Sequence, residues 1–147
     1  GSSCMKGQAD LAGFTLHHVS VPTQDLERSA RFYEDVLGLT RLPRPPFTIG
    51  GIWYRLGDRQ IHVVVHPGAN FRTAKPVDND DVHFAVHTAD FEAARSNLES
   101  HGYAEDLPAD HPMRMILTRT GLAGFPQMFV MDPDRNVIEI NQAPFLG

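Results

Sequence analysis

The feature that most constrains this chain is a repeat of itself at an offset of 65 residues. His18-Val19-Ser20-Val21-Pro22-Thr23-Gln24-Asp25-Leu26-Glu27 aligns with His83-Phe84-Ala85-Val86-His87-Thr88-Ala89-Asp90-Phe91-Glu92, and five of the ten pairs are identical: His18/His83, Val21/Val86, Thr23/Thr88, Asp25/Asp90 and Glu27/Glu92. A shared strand pattern alone would repeat the apolar positions but not the polar ones, so the halves read as a duplication. Both segments alternate apolar with other residues, as a half-buried strand does, and then pass through Asp, a good N-cap, into a helical pattern.

The first helix is expected over Leu26 to Val36, with Leu26, Ala30, Tyr33 and Leu37 near one face and Gly38 ending it. The second is expected over Phe91 to Ser100, with Phe91, Ala94 and Leu98 inward and Gly102 ending it. Strands follow at Leu39–Leu42, Gly51–Leu56 and Ile61–His66, with Gly57-Asp58-Arg59-Gln60 as a hairpin turn. Their counterparts are Met115–Arg119, Gln127–Met131 and Asn136–Gln142, turning at Asp132-Pro133-Asp134-Arg135. Each half therefore reads strand–helix–strand–strand–strand. The expected organisation is one domain over 14–143: a first module over about 14–66, a linker at 67–81 rich in Pro, Asn, Asp and Gly, and a second module over about 82–143. Residues 1–13 read as a tag and N-terminal extension, and 144–147 as a tail.

Composition narrows the function classes. Cys4, the only cysteine, falls in the tag-like Gly1–Cys4 stretch, so any metal is expected to be held by nitrogen and oxygen rather than by thiolate. No apolar run is long enough for a membrane span, no signal peptide is visible, and a cytoplasmic location is the expectation. A net charge of −5 without a basic stripe argues against nucleic acid as a partner.

The chain has eight histidines, and their positions carry the chemistry. Alternate strand residues share a face. With Val19 and Val21 packed on the helix, His18 and Ser20 face the other way; in the second half His83, Ala85 and His87 do the same. Aligning Ile61-His62-Val63 with Ile138-Glu139-Ile140 makes His62 and Glu139 the equivalent polar positions of the last strands. His18, His62, His83 and Glu139 thus form a candidate metal-ligand set of three imidazoles and one carboxylate, suited to one divalent ion of Ni, Zn, Co, Mn or Fe. A lone strand histidine is more often surface or hydrogen-bonded core; four polar groups at equivalent repeat positions favour metal. His66 and His87 share the ligand face and are candidates to support the ligands or meet substrate. His17, His101 and His111 read as packing or surface residues. On Gly51–Leu56 either Trp53 and Arg55 or Ile52, Tyr54 and Leu56 must face the cavity, so Tyr54 and Arg55 are both candidate substrate residues. Phe47, Arg114 and Met115 could border the site from loops.

These motifs resemble a known superfamily. His18-Val19-Ser20-Val21, Asp25 to Tyr33, Val36-Leu37-Gly38-Leu39 and the closing Phe129 to Ile140 segment are similar to the vicinal-oxygen-chelate proteins, over about Phe14 to Gln142. The group includes glyoxalase I, epimerases, fosfomycin-modifying enzymes, extradiol dioxygenases and metal-free drug-binding proteins. The resemblance implies an α+β fold of two βαβββ modules forming a curved, incomplete barrel around a cupped metal site, and a homodimer binding a small-molecule substrate. It places the metal ligands on the same four residues and gives Glu139 a catalytic, proton-shuttling role. The implied activity is a metal-dependent lyase or isomerase acting on an oxygen-rich substrate. His62 stands where glyoxalase I relatives usually have Glu or Gln, and Pro22 where an Arg holds glutathione, which disfavours glutathione. Phe129 replaces the acid–base Tyr of extradiol enzymes, which disfavours ring cleavage and leaves Phe129 as a candidate substrate-contact residue. An extradiol-type dioxygenase using Fe(II) or Mn(II) and a non-catalytic binding or resistance protein are the alternatives.

Overall fold

The structure, a computed structural model, describes residues 13–146. Cys4 and nearly all of the tag-like extension lie outside them. The duplication appears as two open four-stranded sheets of the same topology. The first module runs β1 (His18–Thr23), α1 (Leu26–Ala30), β2 (Thr40–Leu42), β3 (Gly51–Leu56) and β4 (Arg59–Val65), in the sheet order β1-β4-β3-β2. The second runs β5 (His83–His87), α2 (Phe91–Ser100), β6 (Ile116–Thr118), β7 (Gln127–Met131) and β8 (Val137–Asn141), in the order β5-β8-β7-β6. In each sheet the first strand pairs in parallel with the last, and the remaining pairs are antiparallel. The sheets do not close into a barrel, and the fold is α+β.

Two of the identical polar pairs of the repeat now have a cause. Thr23 Oγ accepts from Asp25 N at 3.1 Å, and the Asp25 side chain caps the helix by accepting from Arg28 N at 3.1 Å. Thr88 and Asp90 repeat the arrangement at 3.2 Å and, to Ala93 N, 3.0 Å. A Thr-x-Asp corner that satisfies otherwise orphaned helix N–H groups is thus used twice.

Three local expectations are corrected. The first helix is α-helical only to Ala30; Arg31–Val36 is a π-helical turn in which Leu37 N bonds Phe32 O at 3.0 Å. Its end is set by Gly38 at φ +73°, which lets Leu39 N reach Tyr33 O at 2.9 Å. Strand β4 begins at Arg59 rather than Ile61, because Gly57 (φ +62°) and Asp58 alone make the turn and Leu56 already pairs with Arg59. The outer strands β2 and β6 are shorter than their sequence pattern, at Thr40–Leu42 and Ile116–Thr118. Residues 67–81 are pinned to the second module: Arg72 donates to Asp81, Pro76 O and Arg135 O, and buried Val77 packs on Met131 and Val137. Because a side chain at Gly38 would have to adopt the left-handed conformation, Gly38→Ala is expected to cost about 1 kcal/mol, read by urea denaturation.

One core serves both modules. Phe32, Tyr33, Phe91, Leu98 and Tyr103 lie with the helix-facing residues Tyr54, Ile61 and Val63 of the first sheet and Met128, Val130, Ile138 and Ile140 of the second. A buried polar latch joins the halves at one point. Tyr33 OH donates to Asp132 Oδ2 at 2.6 Å, while Asp134 accepts from Gln24 N, Arg28 Nη2 and Ser29 Oγ at 3.0–3.2 Å. The β7–β8 turn is therefore gripped by the first module's β1–α1 corner. Among the described residues no helix is long and apolar enough to cross a membrane.

Candidate metal and substrate site

The face of each sheet opposite the helices carries the candidate ligands, as strand alternation requires. Cross-strand register then decides their neighbours. In the first module Ser20 and Trp53 flank His62; in the second Ala85 and Phe129 flank Glu139.

The second half-site is the more organised. His83 Nδ1 lies 2.7 Å from Asp81 O, and a carbonyl only accepts, so Nδ1 carries the proton. Nε2 is then the nitrogen that faces Glu139 Oε1, at 3.2 Å, and wherever it is unprotonated it presents a lone pair there. Two acceptors this close attract only when a proton or a cation lies between them. The other carboxylate oxygen, Oε2, accepts from Gln127 Nε2 at 3.1 Å and Asn141 Nδ2 at 2.8 Å. Glu139 is 8% exposed, so these amides hold an aimed carboxylate out of bulk water. Phe129 stands edge-on to His83 at 5.5 Å, and Val77, Met131 and Val137 gather beside it at one end of the face. The donor set suits a divalent ion: one imidazole with a fixed tautomer, one oriented carboxylate, and amides that hold the carboxylate in place.

The first half-site is a stack of rings. Trp53 lies over His62 at 4.3 Å and His62 over His18 at 3.9 Å, with interplanar angles of 8° and 16°. His62 Nε2 donates to Gln60 Oε1 at 2.7 Å, which leaves Nδ1 with the free lone pair. Burial first, then the charges of His18, His17 and Arg44, lowers the His62 pKa to about 4. At neutral pH it is an uncharged imidazole, the form that binds metal.

The four candidates fall into two pairs, His18 with His62 and His83 with Glu139. Among the described residues no group of three or more His, Cys, Asp or Glu side chains is close enough to hold one ion, so the convergence expected from the sequence is not met within one chain. The sequence pattern gives each residue its sheet face but not how two sheets are placed. Between the modules lies a cleft of about 1010 Å³, with His18, Leu56 and Gln60 on one side and Ala85, His87 and Phe145 on the other.

The lesser candidates divide. Tyr54 is corrected out of the site: it is fully buried on the helix side, stacked on Tyr33, with its hydroxyl on Glu34 at 2.8 Å. Trp53 and Arg55 therefore hold the site face. Arg114 is spent on Leu107 O and Met115 O, and Met115 is core. His66 is exposed just beyond the end of β4, and His87 packs against Phe145 at 4.6 Å on the cleft wall. Sequence reasoning singled out neither Gln127 nor Asn141. Asn141 could have been found by counting two residues on from Glu139; Gln127 required the register.

The profile of the glyoxalase/bleomycin resistance protein/dioxygenase superfamily matches residues 15–140. The chain belongs to that superfamily. Among solved structures it is similar to a bleomycin-binding protein complexed with bleomycin, at 20% identity over 89% of this chain and 100% of that one, TM-score 0.63. It is also similar to the fosfomycin resistance protein FosX from Listeria monocytogenes, at 11% identity over 90% and 95%, TM-score 0.66. A glyoxalase family protein from Enterococcus faecalis matches at 20% identity over 86% and 96%, TM-score 0.63. At these identities the likeness establishes the fold. No curated protein matches the sequence.

Proposed function

We propose that this superfamily member is a metal-dependent lyase or isomerase acting on a small oxygen-rich substrate, with His83 and Glu139 of one copy and His18 and His62 of a second holding the ion. The observation that carries the reading is the His83 Nε2–Glu139 Oε1 pair, 3.2 Å apart, with their outer atoms tied down by Asp81 O, Gln127 and Asn141. A divalent ion held there would supply Lewis acidity to neighbouring substrate oxygens. Glu139, once detached from the ion, would be the residue to hold and move a proton at Oε1, because Oε2 is already occupied by two amide donors. Phe129 and the Val77–Met131–Val137 cluster keep water from one side of it.

A second copy is required because each chain carries one half of the set on each module. A two-fold pairing of identical chains would bring first-module and second-module halves together twice. Exposed Phe14, Leu16 and Val82, 84%, 63% and 79% accessible, precede His18 and His83 closely in the chain and would give such a contact apolar surface.

Phe129 pairs with Glu139 across the sheet and offers no hydroxyl, which weighs against ring-cleaving dioxygenase chemistry. The Trp53–His62–His18 stack favours a second reading, a binding protein without turnover that uses the aromatic stack as one wall of its ligand site. Metal analysis of chelator-free protein separates the two: a stoichiometric ion supports the enzyme, and failure to take up Ni, Zn, Co, Mn or Fe ends that reading. His62→Ala and Glu139→Gln subunits should each lose the metal. Mixed, they should regain roughly a quarter of wild-type capacity through heterodimers with one intact site. No recovery on mixing would place all the ligands within one chain.

A further inference from the structure

The β2–β3 loop, residues 43–50, brings a cation onto the first module's site face. The Arg44 guanidinium lies against Gly51, where an added Cβ would stand 2.8 Å from Nη2. Gly51 is two residues before Trp53 on β3 and shares its face. A side chain at Gly51 would meet the Val63 carbonyl at 2.7 Å as well as the guanidinium, so the strand's glycine leaves this spot open to Arg44. Phe47 supports it from the loop, with its ring 4.9 Å from the guanidinium carbon, and Phe47 in turn lies 6.2 Å from Trp53.

This arginine is incompletely used. Nη2 donates to Ile49 O at 2.9 Å, while Nε is shielded from solvent without a hydrogen-bond partner. Six arginines pair with a carboxylate; among the described residues Arg44, like Arg31, Arg55, Arg114 and Arg135, does not, and it is the one of these whose guanidinium lies over an aromatic ring. A positioned guanidinium with spare donors beside a flat aromatic surface matches a planar or tetrahedral oxyanion attached to an apolar body.

We propose that Arg44 is the anion-recognising residue of this site, so that the substrate carries a carboxylate, phosphonate or similar oxyanion whose apolar part lies on Trp53 and Phe47. The inference deepens the reading of this face as the substrate site and rests on it. Arg44 is a binding and specificity residue; it takes no part in proton transfer.

Trp53 is the only tryptophan, so its fluorescence reports directly on this corner. Phenylphosphonate and the neutral benzamide are titrated into full-length protein, with and without added metal, at fixed salt. Saturable quenching by phenylphosphonate at least about tenfold tighter than by benzamide is expected, falling about tenfold or more in Arg44→Gln with benzamide unaffected. Arg44→Lys should retain an intermediate affinity, since it keeps the charge but loses the fork; it also serves if Arg44→Gln does not fold. Equal phenylphosphonate affinity in parent, Arg44→Gln and Arg44→Lys overturns the proposal, as does a parent that does not bind it. Metal content is measured on the same samples. Arg44-dependent binding in chelator-treated protein upholds the anion site even where the metal reading fails; binding that needs metal and ignores Arg44 overturns it.

Discussion

Glu139→Gln is expected to abolish stoichiometric metal uptake while leaving the fold at least as stable as the parent. The amide has the carboxylate's shape. Its oxygen can accept from Gln127 and Asn141 as Oε2 does, and its NH₂ can donate to the Nε2 lone pair of His83. Every group that now needs a cation or a proton would be satisfied without one, and a buried charge would be gone. Metal affinity should fall by more than about a hundredfold, beyond what removing a supporting hydrogen bond costs. Metal analysis and calorimetry on chelator-free protein read the first effect, and urea denaturation the second. Parent-like metal stoichiometry in the variant would remove Glu139 from the ligand set.

The largest stability effect is expected at Asp132, the centre of the latch between the modules. Its Oδ1 accepts from Asp134 N and Asn136 N, and its Oδ2 from Tyr33 OH and Asn136 Nδ2, at 2.6–2.9 Å. Asp132→Ala would strand those donors in a site where the carboxylate is 2% exposed, and should cost about 4 kcal/mol. Urea denaturation checks it; a loss below about 1 kcal/mol would mean that the turn is held by packing alone.

The same residue gives a pH dependence. Burial, aided by the charge of Asp134, pushes the Asp132 pKa up to about 6 against the donors that favour ionisation. A carboxyl raised from about 3.8 to about 6 binds its proton more tightly when folded. Its contribution is therefore complete below about pH 4 and is lost as pH rises through 6, to a total of roughly 3 kcal/mol. Asp132→Asn cannot titrate, so the parent's stability relative to this variant should be greater at pH 4.5 than at pH 7.5. A difference independent of pH would show that Asp132 keeps an ordinary carboxylate pKa in the fold.

The duplication made much of the molecule legible. Strand alternation assigned His18, His62, His83 and Glu139 to the faces they occupy, and the Asp25 and Asp90 N-caps marked both helix starts. These are local properties: a period of two or a capping side chain is decided within a few residues. The π-helical turn at Arg31–Val36 was not legible, because its apolar spacing also fits an α-helix. Tyr54 was left open between two faces, since its strand is apolar on one face and aromatic on both; packing on Tyr33 settled it.

By itself, then, the sequence determined two βαβββ halves and which face of each carries polar groups that could bind a metal. Only the tertiary structure decided what those groups meet. Gln127 and Asn141 hold Glu139, Trp53 and Gln60 hold His62, and Gly51 admits Arg44, through register and loop placement between residues far apart in the chain. It also decided that four equivalent ligand positions form two separate pairs in one chain. The reason is physical: hydrophobic periodicity records which side of a sheet is buried, whereas the placement of one sheet against another depends on long-range contacts such as Tyr33 with Asp132.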